Sequence, residues 1–129
     1  MALAQIERVG QDVREKATQF DAREATLRER FGDEEVLDRA MSAANGEKFA
    51  ALWRGHVGGY DSHSEADMAL CCLLAFWTDG DPDRVDVLFR ESGLVRSKWD
   101  EVHYADGATY GEQTVERACA RVTEHYSDG

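Results

Sequence analysis

The residues best suited to chemistry lie in one short stretch, residues 88–101, with the sequence LFRESGLVRSKWDE. It brings Arg90, Arg96 and Lys98 together with the indole of Trp99. Guanidinium and ammonium groups bind phosphate oxygens, and an exposed indole stacks on a nucleobase. This combination predicts contact with a nucleotide or with a single-stranded nucleic acid.

Ordinary helix structure offers a second explanation for part of this stretch. Arg90 lies in the last turn of a predicted helix, where a cation suits the helix dipole, and Gly93 has the place of a left-handed C′ residue. Arg96 and Lys98 follow that stop and are not explained by it, although acidic neighbours could pair with them. Trp99 has burial in the core as its alternative. Both interpretations of these residues stay open at this point.

A further candidate is Tyr110, which together with Gly111 precedes the predicted last helix. The N–H groups at a helix N-terminus suit a phosphate. Glu112 would repel an anion there, so capping of the helix is the alternative interpretation.

No catalytic or metal chemistry is predicted. The sequence lacks the phosphate-loop, dinucleotide-binding and H-E-x-x-H motifs. Cys71, Cys72 and Cys119 have no C-x-x-C spacing, so we interpret them as core residues rather than as a metal or redox site. We therefore predict that the chain is not an enzyme and carries no metal and no cofactor, and that ATP or another nucleotide would enter only as a ligand.

The charge of the chain restricts its partners. The 26 acidic and 15 basic residues give a net charge of −11, and residues 1–31 hold six of each sign, so the whole excess lies in residues 32–129. An acidic field disfavours non-specific binding to DNA. The scarcity of lysine relative to arginine is typical of proteins from a salt-rich, halophilic and often archaeal cytoplasm, and also of GC-rich coding.

The apolar pattern predicts helices that position these residues. Apolar residues recur at steps of three and four, the chain has a single proline, and hydrophobic residues make up 43% of it. We predict an all-α fold, a compact bundle of six or seven helices. The sequence has neither an apolar run long enough for a membrane span nor a secretory leader, so a cytoplasmic location is expected.

Two regions are predicted from this pattern. Residues 1–32 form an amphipathic N-terminal helix or linker, and residues 33–129 form the helix-bundle domain. The boundary rests on Gly32 as a helix stop and on Asp33 as the N-cap of the next helix.

Two helix starts carry clear sequence signals. Ser62 with Glu65 forms an S-x-x-E capping box before an apolar helix, and Asp81 followed by Pro82 marks the next helix. Asp67 is interpreted as an acidic residue that the N-terminal end of its helix favours.

Four segments in order carry a family resemblance: ANGEKFAALWRG, YDSHSEADMALCCLLAFWTDGD, VDVLFRESGLVRSKWDE and TYGEQTVERA. Together they resemble the helix-bundle domain that lies beside the catalytic module of primase-polymerases in phage and in archaeal or bacterial plasmid replication proteins. The phage NrS-family polymerase has a similar domain. The resemblance covers residues 33–120, about two thirds of the chain.

The resemblance implies a non-catalytic accessory module that binds a single-stranded DNA template and nucleotide. It would prepare primer synthesis by a primase-polymerase catalytic module, present in cis or in trans. The predicted contact residues are Arg90, Arg96, Lys98, Trp99 and Tyr110. The alternative is a structural or protein-interaction module without nucleic-acid binding, in which the apolar stripe of residues 1–31 binds a partner or a second copy.

Overall fold

The computed structural model describes residues 32–126, and this part of the chain consists of helices and connecting loops. The α-helices are α1 over residues 32–42, α2 over Gly46–Trp53, α3 over His63–Trp77, α4 over Pro82–Glu91 and α5 over Tyr110–Arg121. A four-residue 3-10 helix covers Ser97–Asp100. Across residues 32–126, strand-type pairing is limited to one isolated bridge between Val102 and Thr109. The predicted all-α class is therefore confirmed.

The predicted count of six or seven helices is slightly off. Within the described range there are five α-helices, because the helix expected over residues 97–102 is only the short 3-10 turn. The predicted helices of residues 1–31 lie outside the described residues. Gly32 and Asp33 both fall inside the helical residues 32–42, so the cap expected at Asp33 is wrong, whereas the stop expected at Gly32 concerns a helix that lies outside the described residues. A glycine costs a helix only about 1 kcal/mol, which favourable neighbours outweigh.

Helix α3 lies at the centre of the fold. It packs against α2, α4 and α5, and one of its faces is fully buried through Ala66, Leu70, Cys71, Leu74 and Ala75. These positions follow the steps of four and three that bring helix residues onto one side. The core interpretation of Cys71 is thus confirmed. No helix within residues 32–126 has the length and apolar character needed to cross a bilayer.

The N-cap residues predicted for two helices, Ser62 and Asp81, are confirmed. The Ser62 hydroxyl accepts a hydrogen bond from the Glu65 N–H at 3.1 Å. The Glu65 carboxylate accepts from the N–H of Asp61, one residue before the cap, instead of from Ser62 itself. Asp81 caps α4 by accepting from two N–H groups of its first turn, and Pro82 occupies the first helical position. These local bonds satisfy backbone donors that have no partner within the helix.

The end of α4 differs from its prediction. Gly93 does not have a positive φ, and the helix ends at Glu91 because the extended backbone of Ser92 breaks the helical pattern. The N–H of Gly93 donates to the carbonyl oxygen of Trp53 at 2.7 Å. A Cβ at this position would lie 2.5 Å from the carbonyl oxygen of Arg54. Gly93 is therefore required by the close approach of two chain segments and not by a left-handed conformation.

A second close approach, between Gly111 and Trp99, gives the first prediction. A Cβ at Gly111 would lie 2.5 Å from the indole of Trp99, which is only 1% exposed and has no room to move. We expect Gly111→Ala to lower the free energy of unfolding by about 1–3 kcal/mol or more through overpacking, as measured by urea unfolding. Gly58→Ala is the matched control, since its Cβ would meet no atom within 4 Å. Equal stability of the two variants would contradict the described packing.

Candidate nucleic-acid interface

The structure brings the five predicted contact residues into one connected group, and three carboxylates hold that group together. We call it the arginine–aromatic cluster, and it consists of Asp67, Asp86, Arg90, Arg96, Lys98, Trp99, Asp100 and Tyr110. Every member has a hydrogen bond or a ring contact with another member.

The carboxylate of Asp67 lies at the inner end of the cluster. It is on α3, its side chain is 0% exposed, and it accepts hydrogen bonds from Nη1 and Nη2 of Arg96 at 3.1 and 2.9 Å. The hydroxyl of Tyr110 donates to the same carboxylate at 2.5 Å. Charge-assisted bonds of this kind are about twice as strong as neutral ones. One buried carboxylate thus connects α3, the loop after α4 and the first residue of α5.

These contacts shift the titration of both partners of Asp67. The hydrogen bonds to Asp67 raise the pKa of Arg96, which keeps the guanidinium charged. Burial, followed by the hydrogen bond to Asp67, raises the pKa of Tyr110 above its ordinary value of 10.0. The cluster therefore contains a permanent cation and a neutral phenol at physiological pH.

Trp99 is the buried indole of the cluster and packs between two other aromatic rings. Its ring stacks on Phe89 with centroids 3.8 Å apart, and its Nε1–H donates to Asp86 at 2.9 Å. The edge of Tyr110 meets it at a centroid distance of 6.0 Å. With 1% of its surface exposed, Trp99 is a core residue, which was the alternative to base stacking. Direct contact of this indole with a base is not part of the interface proposed below.

Arg90 is held by carboxylates on two sides. Its Nε–H donates to Asp86 at 2.9 Å, and Nη1 and Nη2 donate to the two oxygens of Asp100 at 3.1 and 2.8 Å. Arg90 lowers the pKa of Asp100 through these hydrogen bonds. The Arg90 side chain is 44% exposed and that of Asp100 is 64% exposed. A phosphate would have to displace an exposed carboxylate in order to bind this arginine.

Lys98 is attached to the cluster in a different manner. Its Nζ lies 4.4 Å from the centroid of the Tyr110 ring, a cation–π contact. Within residues 32–126, its ammonium group forms no ion pair with a carboxylate. The face of the Tyr110 ring thus contacts Lys98, while the Tyr110 hydroxyl donates to Asp67.

The N-terminal end of α5 is closed by its own residues. The Thr109 hydroxyl accepts from the Glu112 N–H at 3.0 Å, and the Glu112 carboxylate accepts from the Thr109 N–H at 2.8 Å. This reciprocal pair is a complete capping box. Tyr110 donates its N–H to the carbonyl oxygen of Glu101 at 2.8 Å. Capping, the alternative interpretation of this turn, is therefore what the structure has.

Asp67 is a member of this group that was not predicted from the sequence. Its interpretation as an acidic residue favoured at a helix start left out its spacing, since it lies three, four and seven positions before Leu70, Cys71 and Leu74. That spacing puts an acidic group on the apolar face of α3. A carboxylate on a buried face requires a cationic or hydrogen-bonding partner, and this is the signal that would have found it.

Comparison with known proteins supports the resemblance derived from the four segments. The family model described as the NrS-1 polymerase HBD domain matches residues 63–128, which include the whole arginine–aromatic cluster. A DNA primase-polymerase of Nitratiruptor phage NrS-1 is 42% identical to this chain over 66 residues. The aligned part is 51% of this chain and 9% of the phage protein.

The raised pKa of Tyr110 predicts a loss of stability at alkaline pH. Because the folded state binds the phenolic proton more tightly than the unfolded chain, the stabilisation is complete below a pH of about 10 and is lost as the pH rises through the folded pKa. We expect wild type to lose more free energy of unfolding than Tyr110→Phe between pH 8 and pH 11, as measured by urea unfolding. Parallel curves for the two proteins would contradict a buried phenol beside Asp67.

The two carboxylates that bind Arg90 are predicted to differ in their contribution to the stability of the fold. Asp86→Ala removes an Arg90 partner and also leaves the buried Nε1–H of Trp99 without its acceptor, which costs about 1–3 kcal/mol of unfolding free energy. Asp100→Ala removes only an exposed Arg90 partner and is the matched control, expected to change stability little. Asp86→Asn keeps an acceptor oxygen and should recover most of the loss in thermal unfolding. A larger effect of Asp100→Ala would refute this order.

Proposed function

Since this chain belongs to the NrS-1 polymerase HBD family, we propose that it is a non-catalytic accessory module of a primase-polymerase-type replication protein. It binds a single-stranded DNA template and nucleotide, and so prepares primer synthesis. The catalytic module acts on the bound strand either in cis or in trans.

The observation that supports DNA binding most directly is that Arg96 and Lys98 are both linked to Tyr110 in one connected group. Lys98 contacts the Tyr110 ring, Arg96 shares the Asp67 carboxylate with the Tyr110 hydroxyl, and both cations lie within the matched segment. The Arg96 side chain is 29% exposed, whereas that of its partner Asp67 is 0% exposed. Two cations linked through one tyrosine offer several N–H donors to neighbouring phosphates of a strand.

The acidity of the rest of the chain limits the size of this interface. With a net charge of −11, a strand that extended far over the surface would be repelled. Binding is therefore confined to the few phosphates that reach Arg96 and Lys98. If the protein works in a salt-rich cytoplasm, as its composition predicts, the Debye length of about 3 Å at 1 M salt leaves only such close contacts effective.

A structural or protein-interaction module is the second candidate, and the pairing of Arg90 favours it. All three nitrogens of that guanidinium already donate to Asp86 or Asp100. In this alternative the cations serve the fold, and neither DNA nor nucleotide binds. The amphipathic stripe predicted for residues 1–31 would then carry the function by binding a partner or a second copy.

A titration of a fluorescently labelled oligo-dT strand, followed by anisotropy at several salt concentrations, distinguishes the two candidates. We expect wild type to bind, and Lys98→Ala to weaken binding about five-fold at 0.1 M salt. The slope of log K against log salt should fall by about 0.7, the value of one single-strand phosphate contact. Arg117→Ala is the matched control, because it removes a cation that also lies over a tyrosine ring but outside the cluster.

Three outcomes decide this test. Unchanged binding by Arg117→Ala, with a loss for Lys98→Ala, supports the proposed interface. Equal losses for both variants indicate binding through general charge and contradict it. Absence of wild-type binding, with and without ATP at every salt concentration, favours the structural alternative.

A further inference from the structure

We infer that Asp67 is the positioning residue of the proposed interface. Its buried carboxylate binds one edge of the Arg96 guanidinium and leaves a second pair of N–H groups on that guanidinium to bind a phosphate. The inference rests on the proposed function and deepens it. It selects Arg96 over Arg90 as the arginine that binds the strand, and it assigns a role to a residue outside the predicted contact set.

Arg96 has more N–H donors than its bonds to Asp67 and Leu94 use. Its Nη1 donates to Asp67 and to the carbonyl oxygen of Leu94, at 3.1 and 3.0 Å, and its Nη2 donates to Asp67 at 2.9 Å. A guanidinium has five N–H groups. The Nε–H and the second N–H of Nη2 therefore take no part in these three bonds, and the guanidinium also interacts with the Tyr110 hydroxyl, which raises the pKa of Arg96 further. These two groups are parallel and make a second fork, the geometry that two phosphate oxygens accept.

Arg96 and Asp67 differ in exposure to solvent. The Asp67 side chain is 0% exposed and that of Arg96 is 29% exposed. An incoming phosphate therefore meets the guanidinium and cannot touch the carboxylate behind it. Because Coulomb energy falls with distance, attraction by the nearer cation exceeds repulsion by the more distant anion.

Arg90 provides the contrasting case within the same cluster. Its main partner, Asp100, has a side chain that is 64% exposed, and it occupies the outer end of the guanidinium. The Nε–H of Arg90 is already taken by Asp86. The same residue types thus leave donors of Arg96 available to a ligand, whereas an exposed carboxylate competes with a ligand for Arg90. The burial of the carboxylate makes the difference.

Tyr110 links Asp67 to Lys98. Its hydroxyl donates to the same Asp67 carboxylate, and its ring carries the ammonium group of Lys98. One buried acceptor thus orients both cations of the proposed interface. Groups that are ordered before binding lose less conformational entropy when the ligand arrives, which increases affinity.

The experiment uses the full chain and a labelled oligo-dT strand, with Asp67→Asn as the main variant. We expect a folded protein by circular dichroism, at least about five-fold weaker binding at 0.1 M salt, and a salt slope reduced by about 0.7. Arg96→Ala should cause a similar loss, and the double variant should lose less affinity than the product of the two separate losses, since Asp67 then acts only through Tyr110 and Lys98. That non-additivity is a readout that a merely structural role would not produce.

Two further variants keep the inference open to refutation if Asp67→Asn folds poorly. Ser92→Ala removes a buried hydroxyl that bonds to the backbone at the end of α4; it should lower stability but keep wild-type affinity. Arg96→Lys keeps a cation for Asp67 but has no second fork, so it should bind as weakly as Arg96→Ala. Wild-type affinity in Arg96→Lys would overturn the inference.

The remaining outcomes separate this inference from the proposed function. If wild type binds the strand and folded Asp67→Asn binds equally well or more tightly, the positioning role is wrong and the proposed function stands. If wild type does not bind at all, the proposed function itself fails.

Discussion

The burial of one charge, that of Asp67, is the constraint on which the rest of the described structure depends. Moving a carboxylate out of water costs several kcal/mol unless well-placed donors compensate for the lost hydration. Here the donors come from Arg96 and Tyr110, which are 29 and 43 residues away in sequence. The charge is therefore stable only when α3, the loop after α4 and the start of α5 are all in place together.

A stack of aromatic rings supports this arrangement from the other side. Phe89, Trp99 and Tyr110 are in sequence-distant segments, yet their rings contact one another in that order. The absence of a side chain at Gly111 lets α5 approach the indole. Asp86 accepts from the indole nitrogen and from Arg90, so the stack and the outer ion pairs form one continuous network. Some of the acidic residues of this chain thus position its own basic side chains.

This network also explains why an acidic protein is compatible with a small anion-binding face. Carboxylates that are themselves buried orient a cation without competing for its ligand, whereas exposed carboxylates compete directly. Arg96 with Asp67 represents the first case, and Arg90 with Asp100 the second. The proposed interface consequently depends less on the net charge of the chain than on whether the carboxylate that binds each arginine is buried or exposed.

The sequence by itself determined the all-α class, the family and the main helix starts, such as the caps at Ser62 and Asp81, because capping bonds join residues at most four positions apart. It did not determine that Gly93 is needed for contact between two segments, that Trp99 is a core residue, or that Asp67 lies behind Arg96. Those features depend on groups brought together by helix packing over long sequence separations. Residue type and local spacing predict which chemistry is available, but only the tertiary structure decides which donors stay open to a ligand.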